Sequence, residues 1–373
     1  MKILICCVMS VITIFASAFL PSSQPVNTSA QSMLLLENIT NRVLYEHNAD
    51  KRLPMASTTK IATAITVIEN CDDLERVVKV PAKAVGVEGS SIYLEADEEL
   101  KIIDLLYGLM LQSGNDCAVA LALTVSGDIQ KFAELMNQTA KRAGAANSNF
   151  VNPHGLHDNN HYTTARDLAL IASYAMKNPV FEKIVGTKRY TMPWKGRDYD
   201  RVVLNKNKIL NTFDGGDGVK TGFTKKAGRC LVSSAKRNGM RVICVVLNCG
   251  PMFEDCGALM ERAFKEYSLR KVCDKNITYE VPVKEGKASV VKCAPLNDLY
   301  YPLKDGEEEN INVVAHTDIE FTAPTRIGQE AGKIEVLLEN HLLFEEKLFT
   351  INSVDAPSYL DRLDSVIEGW RVE

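Results

Sequence analysis

The stretch Pro54-Met55-Ala56-Ser57-Thr58-Thr59-Lys60, running straight into Ile61-Ala62-Thr63-Ala64-Ile65-Thr66-Val67-Ile68, constrains this chain more than any other. Proline presets the first helical turn and lacks an N–H that such a turn cannot use, so a helix is predicted just after Pro54. The run beyond Lys60 is apolar or small on every side, a composition that belongs inside a core. Ser57 and Lys60 are three residues apart, which on a helix puts both side chains on one face, close enough to share a proton.

Lysine deprotonates serine only when it is itself neutral. Burial and a second positive group nearby both lower its pKa toward that state. Ser-x-x-Lys carries little information by itself, and it recurs at Ser233 and Lys236. Two other stretches support the first: Ser113-Gly114-Asn115, the chain's one Ser-x-Asn, and Lys220-Thr221-Gly222, its one Lys-Thr-Gly.

The chain of 373 residues is long enough for two domains, and its net charge of −4 with a pI near 6.0 leaves no basic surplus for nucleic acid. Lys2, the apolar run Ile3 to Phe15 and Ala16-Ser17-Ala18 read as a signal peptide over residues 1–18, too short for a membrane span. The mature protein is therefore expected outside the cytoplasmic membrane. Past Cys6 and Cys7, eight cysteines remain, an even number that permits disulfides in an exported chain. Cys117, Cys230 and Cys244 lie inside apolar runs, so mostly unpaired core thiols are expected.

Residues 33 to 46 read as two strands around a turn. Helical periodicity covers 101 to 125, broken by Ser113-Gly114-Asn115, and continues through 129 to 143 and 164 to 177. A strand at Lys220 to Phe223 precedes two apolar runs, Gly228 to Ser234 and Met240 to Leu247, that are joined as a hairpin across Arg237-Asn238-Gly239. Met252 to Tyr267 is helical again. From Lys275 to Val354 short alternating segments suggest a small β-rich domain, and residues 357–373 carry Leu360, Leu363, Val366, Ile367 and Trp370 at helical spacing.

The three motifs resemble, in order and wide separation, the active-site triplet of penicillin-binding proteins and serine β-lactamases. The closer resemblance is to low-molecular-mass D-alanyl-D-alanine carboxypeptidases. It is carried by Ala56 to Lys60, Gly89-Ser90-Ser91-Ile92-Tyr93-Leu94, Asp104 to Met110, Asn152-Pro153-His154-Gly155-Leu156 and Asp217 to Thr224, and spans most of residues 31 to 270. It implies an α/β fold of the α+β kind: a transpeptidase-like domain over 31–272, an antiparallel sheet flanked by helices, followed by the β-rich domain over 275–354.

By the same resemblance, Ser57 attacks the penultimate D-alanine carbonyl of a peptidoglycan stem peptide and Lys60 takes its proton. Ser113 passes a proton to the leaving amine. Asn115 orients the substrate backbone, and Lys220 keeps Lys60 neutral and attracts the terminal carboxylate, which Thr221 binds. Gly222 leaves room for the substrate to pair with the strand, and the N–H groups of Ser57 and Phe223 form the oxyanion hole. β-Lactams would acylate the same serine. No cofactor is implied. Phe223 departs from the Tyr or His common in the family, and Cys249 to Phe253 lacks an arginine expected in some relatives.

His154, His157 and His161 have a spacing that suggests a metal site, but Pro153, Gly155 and Asn159-Asn160 break the helix that would align them. They are read as part of a structural loop, with no metal. The family's terminal helix anchors it to the membrane surface. Here Asp361, Asp364 and Glu368 oppose only Arg362 and Arg371, so peripheral membrane contact and packing on the β-domain carry equal weight. A serine β-lactamase is the alternative of the same class, and it would need a Glu-x-x-x-Asn loop that is not evident. A catalytically silent muropeptide-binding wall protein is the alternative of another class.

Overall fold

A computed structural model describes residues 26–317, 320–361 and 363. The 1–18 leader and most of the 357–373 segment lie outside these residues. The chain divides into two compact units between Glu266 and Tyr267.

In the first unit, strands β1 (Ser32–Glu37) and β2 (Val43–His47) precede a 3-10 turn (Ala56–Thr59) that leads into α1 (Lys60–Glu69). A short hairpin of β3 (Val77–Lys79) and β4 (Glu99–Lys101) enters α2 (Ile102–Tyr107), a π-helical turn (Gly108–Gln112) and α3 (Asn115–Ser126). Then come α4 (Ile129–Arg142), α5 (Ala165–Met176), α6 (Pro179–Gly186), a hairpin of β5 (Arg189–Met192) with β6 (Arg201–Leu204), and α7 (Ile209–Thr212). Strands β7 (Gly216–Thr224), β8 (Gly228–Arg237) and β9 (Met240–Leu247) and helix α8 (Met252–Glu266) complete it. The five-stranded sheet runs β2-β1-β9-β8-β7, antiparallel throughout, which leaves β7 as an outer strand.

Residues 60 to 67 of α1 are all buried, as a helix without a polar face must be. Its alanines and threonines let α3, α4, α5 and α6 come close. Every residue of β9 is buried, so both faces of the sheet are covered. Ile243, Val245 and Leu247 join the core around α1, while the alternate side chains face the other way, where α8 packs. Asn238 and Gly239 form the two-residue turn of the β8–β9 hairpin, both with positive φ (50° and 84°), as this turn requires. The second Ser-x-x-Lys match falls on β8. Alternation there sends Ser233 and Lys236 to opposite faces, and the Ser233 hydroxyl donates to the Cys244 carbonyl.

The second unit pairs β10 (Tyr267–Cys273) with β13 (Leu299–Lys304). Its six-stranded sheet takes β11 (Tyr279–Lys284), β12 (Val290–Pro295), β14 (Ile311–His316), β15 (Phe321–Thr322), β16 (Glu330–Leu338) and β17 (His341–Thr350) in the order β14-β16-β17-β12-β11-β15. Val281, Val291, Cys293, Ile334 and Leu348 form its core. Cys71 and the seven cysteines that follow are free thiols, all buried except Cys71. No helix among the described residues is long and apolar enough to cross a membrane.

Candidate active site

Ser57 sits in the 3-10 turn and Lys60 opens α1, so the i, i+3 relation survives although the turn is tighter than an α-helix. Lys60 Nζ lies 3.1 Å from Ser57 Oγ, 2.7 Å from Asn115 Oδ1 and 2.7 Å from the His154 carbonyl oxygen. Lys60 is wholly buried; burial first, and then the charge of Lys220, hold its pKa well below that of an ordinary lysine. As an ammonium it has three donors for three acceptors. Once neutral it has two N–H bonds, and Asn115 Oδ1 and the His154 carbonyl can only accept them. The lone pair is then left for the Ser57 hydroxyl proton.

The π-turn before Ser113 widens the helix and ends with Ser113 in the left-handed region, φ 67°, which breaks the run so that α3 restarts at Asn115. Asn115 donates through Nδ2 to the Glu88 carbonyl, which leaves its second N–H, among the described residues, for a substrate. The next residue, Asp116, is buried and accepts from Ser91 Oγ and from the N–H groups of Ile92 and Leu94. That carboxylate folds the 88–94 segment back and brings Ser90 to the cleft.

Across from the serine runs β7. Lys220 is buried, its Nζ donates 3.0 Å to the Thr221 carbonyl, and burial followed by the Lys206 charge brings its pKa down to about 7. A Cβ on Gly222 would lie 3.0 Å from the backbone nitrogens of Ser57 and Thr58 and 3.1 Å from the Met55 carbonyl oxygen. Glycine here lets the strand approach the serine turn, so the room it saves is filled by the enzyme's own backbone as well as offered to a substrate. Phe223 is exposed and lines the cleft.

A cleft of about 290 Å³ lies between these walls, lined by Ser57, Ser90, Ser113, Thr221, Gly222 and Phe223, with Lys206, Met252 and Phe253 closing it. Ser57, Lys60, Ser113, Asn115, Lys220, Thr221, Gly222 and Phe223 thus converge from three separate segments. Sequence reasoning missed Lys206, whose Nζ donates to the Gln112 carbonyl and which belongs to no motif. Ser90 lay within a stretch already singled out. The His154 carbonyl was invisible because a backbone atom leaves no residue-type signature.

The histidine loop serves the same site through other atoms. His161 Nδ1 accepts from the Val151 N–H and His154 Nδ1 from the Leu156 N–H, so both rings are engaged in holding the loop. Burial lowers the two pKa values to about 3 and about 4. No group of three or more His, Cys, Asp or Glu suited to a metal occurs among the described residues.

Residues 20–250 match the family described as D-alanyl-D-alanine carboxypeptidase, and residues 267–356 match the C-terminal domain of penicillin-binding protein 5. D-alanyl-D-alanine carboxypeptidase DacF of Bacillus subtilis is 31% identical over 350 residues, covering 91% of this chain and 90% of that protein. DacC of Escherichia coli is 29% identical, with 94% and 91% covered. The crystal structure of penicillin-binding protein 5 from Haemophilus influenzae superposes with a TM-score of 0.74 at 28% identity over 89% of this chain and 99% of that one. The chain belongs to the D-alanyl-D-alanine carboxypeptidase family.

Proposed function

We propose that the protein is a serine-type carboxypeptidase that removes the terminal D-alanine from D-Ala-D-Ala peptidoglycan stem peptides and is acylated by β-lactams. The observation that carries this reading is the coordination of Lys60: two acceptors take its N–H bonds and aim its lone pair at Ser57 Oγ. The Ser57 oxygen adds to the penultimate D-alanine carbonyl carbon as its proton moves to Lys60 Nζ. The N–H groups of Ser57 and Phe223 hold the resulting oxyanion, a contribution of about 3 kcal/mol per donor. When the C–N bond breaks, the proton passes by way of Ser113 to the departing amine, and D-alanine leaves an ester on Ser57. Water then hydrolyses that ester.

Lys206 and Thr221 at the cleft, with Lys220 behind them, supply the positive field and hydrogen bond for the substrate's terminal carboxylate. The outer edge of β7 offers main-chain partners to an extended peptide. Export by the 1–18 leader would place this activity at the outer face of the membrane, where the wall peptides are; liposome flotation with and without residues 357–373 tests for lipid contact, and equal flotation sinks it.

The test incubates mature protein with a fluorescent penicillin and with a peptide ending in D-Ala-D-Ala. Covalent label on Ser57 together with D-alanine release is the expected result. Ser57→Ala should abolish both, lowering release by roughly 10⁴-fold or more with an unchanged thermal midpoint. D-Alanine release retained by that variant would refute the mechanism. Label without release would favour a silent binding role, and rapid drug hydrolysis a β-lactamase.

A further inference from the structure

Ala56, immediately before the serine, has φ 51°, a left-handed conformation that a non-glycine residue holds only where its surroundings enforce it. The carbonyl oxygen of Ala56 accepts a 2.8 Å hydrogen bond from Thr59 Oγ1, and Thr59 Oγ1 lies 2.8 Å from His161 Nε2. At the far side of that ring, Nδ1 accepts from the Val151 N–H at 3.1 Å. A neutral imidazole that accepts at Nδ1 carries its proton on Nε2. The direction of the chain follows: Nε2–H donates to Thr59, whose own hydroxyl proton can go only to the Ala56 carbonyl. Thr59 and His161 are both buried. Gly155 closes the space behind, since a Cβ there would stand 1.9 Å from the Ala56 oxygen.

We propose that His161 and Thr59 form a positioning relay that fixes the Ala56–Ser57 peptide plane and thereby aims the Ser57 N–H into the cleft. In a planar trans peptide the C=O of one residue and the N–H of the next point in opposite directions, so holding the Ala56 oxygen sets the Ser57 donor. That donor is half of the oxyanion hole in the reading given above, on which this inference rests. The relay touches neither substrate nor reacting atoms. It joins residues 102 positions apart in sequence, and the adjacent His154 carbonyl ties the same loop to Lys60. One loop therefore positions both the base and the oxyanion donor.

Four variants of the mature chain test it: Thr59→Val, Thr59→Ser, His161→Asn and His161→Gln. Valine keeps the shape of threonine without the hydroxyl, and serine keeps the hydroxyl. Glutamine can present an N–H near the Nε2 position, whereas asparagine reaches only the Nδ1 position. For each, the acylation rate constant and half-saturating concentration of a fluorescent penicillin are measured, with kcat and KM for D-alanine release and the thermal midpoint. Thr59→Val should acylate about ten- to a hundredfold more slowly at saturation, with half-saturation within about twofold, the signature of a misaimed donor. Thr59→Ser should stay within about threefold of wild type, and His161→Gln should be faster than His161→Asn. A wild-type rate in Thr59→Val, even with a lower thermal midpoint, overturns the relay, as does an equal loss in valine and serine. Should Thr59→Val not fold, equal rates in the two His161 variants overturn it. Wild type labelled on Ser57 keeps these failures separate from failure of the acyl-enzyme reading, which an unlabelled wild type would sink together with the relay.

Discussion

On the helix side of the cleft, Lys60 is wholly buried and Ser57 half-buried between buried neighbours, and Lys60 alone has three hydrogen-bond partners drawn from three segments. On the strand side, β7 is an outer strand with an exposed phenylalanine and a threonine on the cleft. The helix side must hold a proton donor and acceptor at hydrogen-bond separation to a tolerance of a few tenths of an ångström, so it is tied down by groups from elsewhere in the fold. The strand side must admit a peptide, so it keeps its main chain available. Chemistry and recognition make opposite demands on rigidity, and here they are met by different kinds of secondary structure.

The sharpest way to break this division is to push the two sides apart. Gly222→Ala introduces a Cβ at 3.0 Å from two backbone nitrogens of the serine turn, so the outer strand must give way by a few tenths of an ångström. Acylation by a penicillin should fall about tenfold, less than the roughly hundredfold that a displacement near 1 Å costs, with a fold intact by circular dichroism. A variant with wild-type rates would show that the strand is not held against the turn.

Alkali should act on the strand side. Lys220 titrates near pH 7 because burial, then Lys206, disfavours its charge, so its attraction for the substrate carboxylate fades above that pH. Lys206→Gln removes one repelling charge and should raise the Lys220 pKa, moving the rise in KM to higher pH. Below pH 7, KM should itself increase about two- to fivefold, the worth of an exposed ion pair. Peptide KM measured between pH 6 and 9 checks both, and an inflection that stays or moves downward refutes the coupling.

Acid should act on the helix side. The folded-state pKa values of His154 and His161, about 4 and about 3, lie below the usual 6.5, so the unfolded chain binds more protons as pH falls. Their contribution to stability is complete above pH 6.5 and is lost as pH drops toward 4 and then 3. The thermal midpoint should fall between pH 6.5 and 5, ahead of most carboxylate titration, and His161→Gln should flatten that slope. An equal slope in the variant would remove His161 from the account.

The strand side was the more legible in sequence. Lys220-Thr221-Gly222 acts through consecutive residues of one strand, and the hairpin after it was marked by Asn238-Gly239. The Ser57–Lys60 pair was legible for a similar reason, since a helical turn is local. What escaped was whatever depends on distant segments or on backbone atoms: the His154 carbonyl on Lys60, Thr59 meeting His161, and Lys206 between two asparagines with no pattern around it. The second unit begins pairing at Tyr267, directly after α8, with no Gly or Pro between them to mark the change.

An outer strand with free hydrogen-bonding groups is ordinarily a hazard, because a second copy of the same sheet can stack onto it and seed aggregation. Strand β7 carries two of the usual deterrents, the inward-pointing charge of Lys220 and a bulge between Gly216 and Gly218, though no proline interrupts it. The serine turn facing Gly222 adds a third. A gap bounded by the turn on one side and the strand on the other accepts one extended peptide but not the thickness of another folded sheet, so the geometry that admits substrate also keeps the protein from polymerising through its own active site.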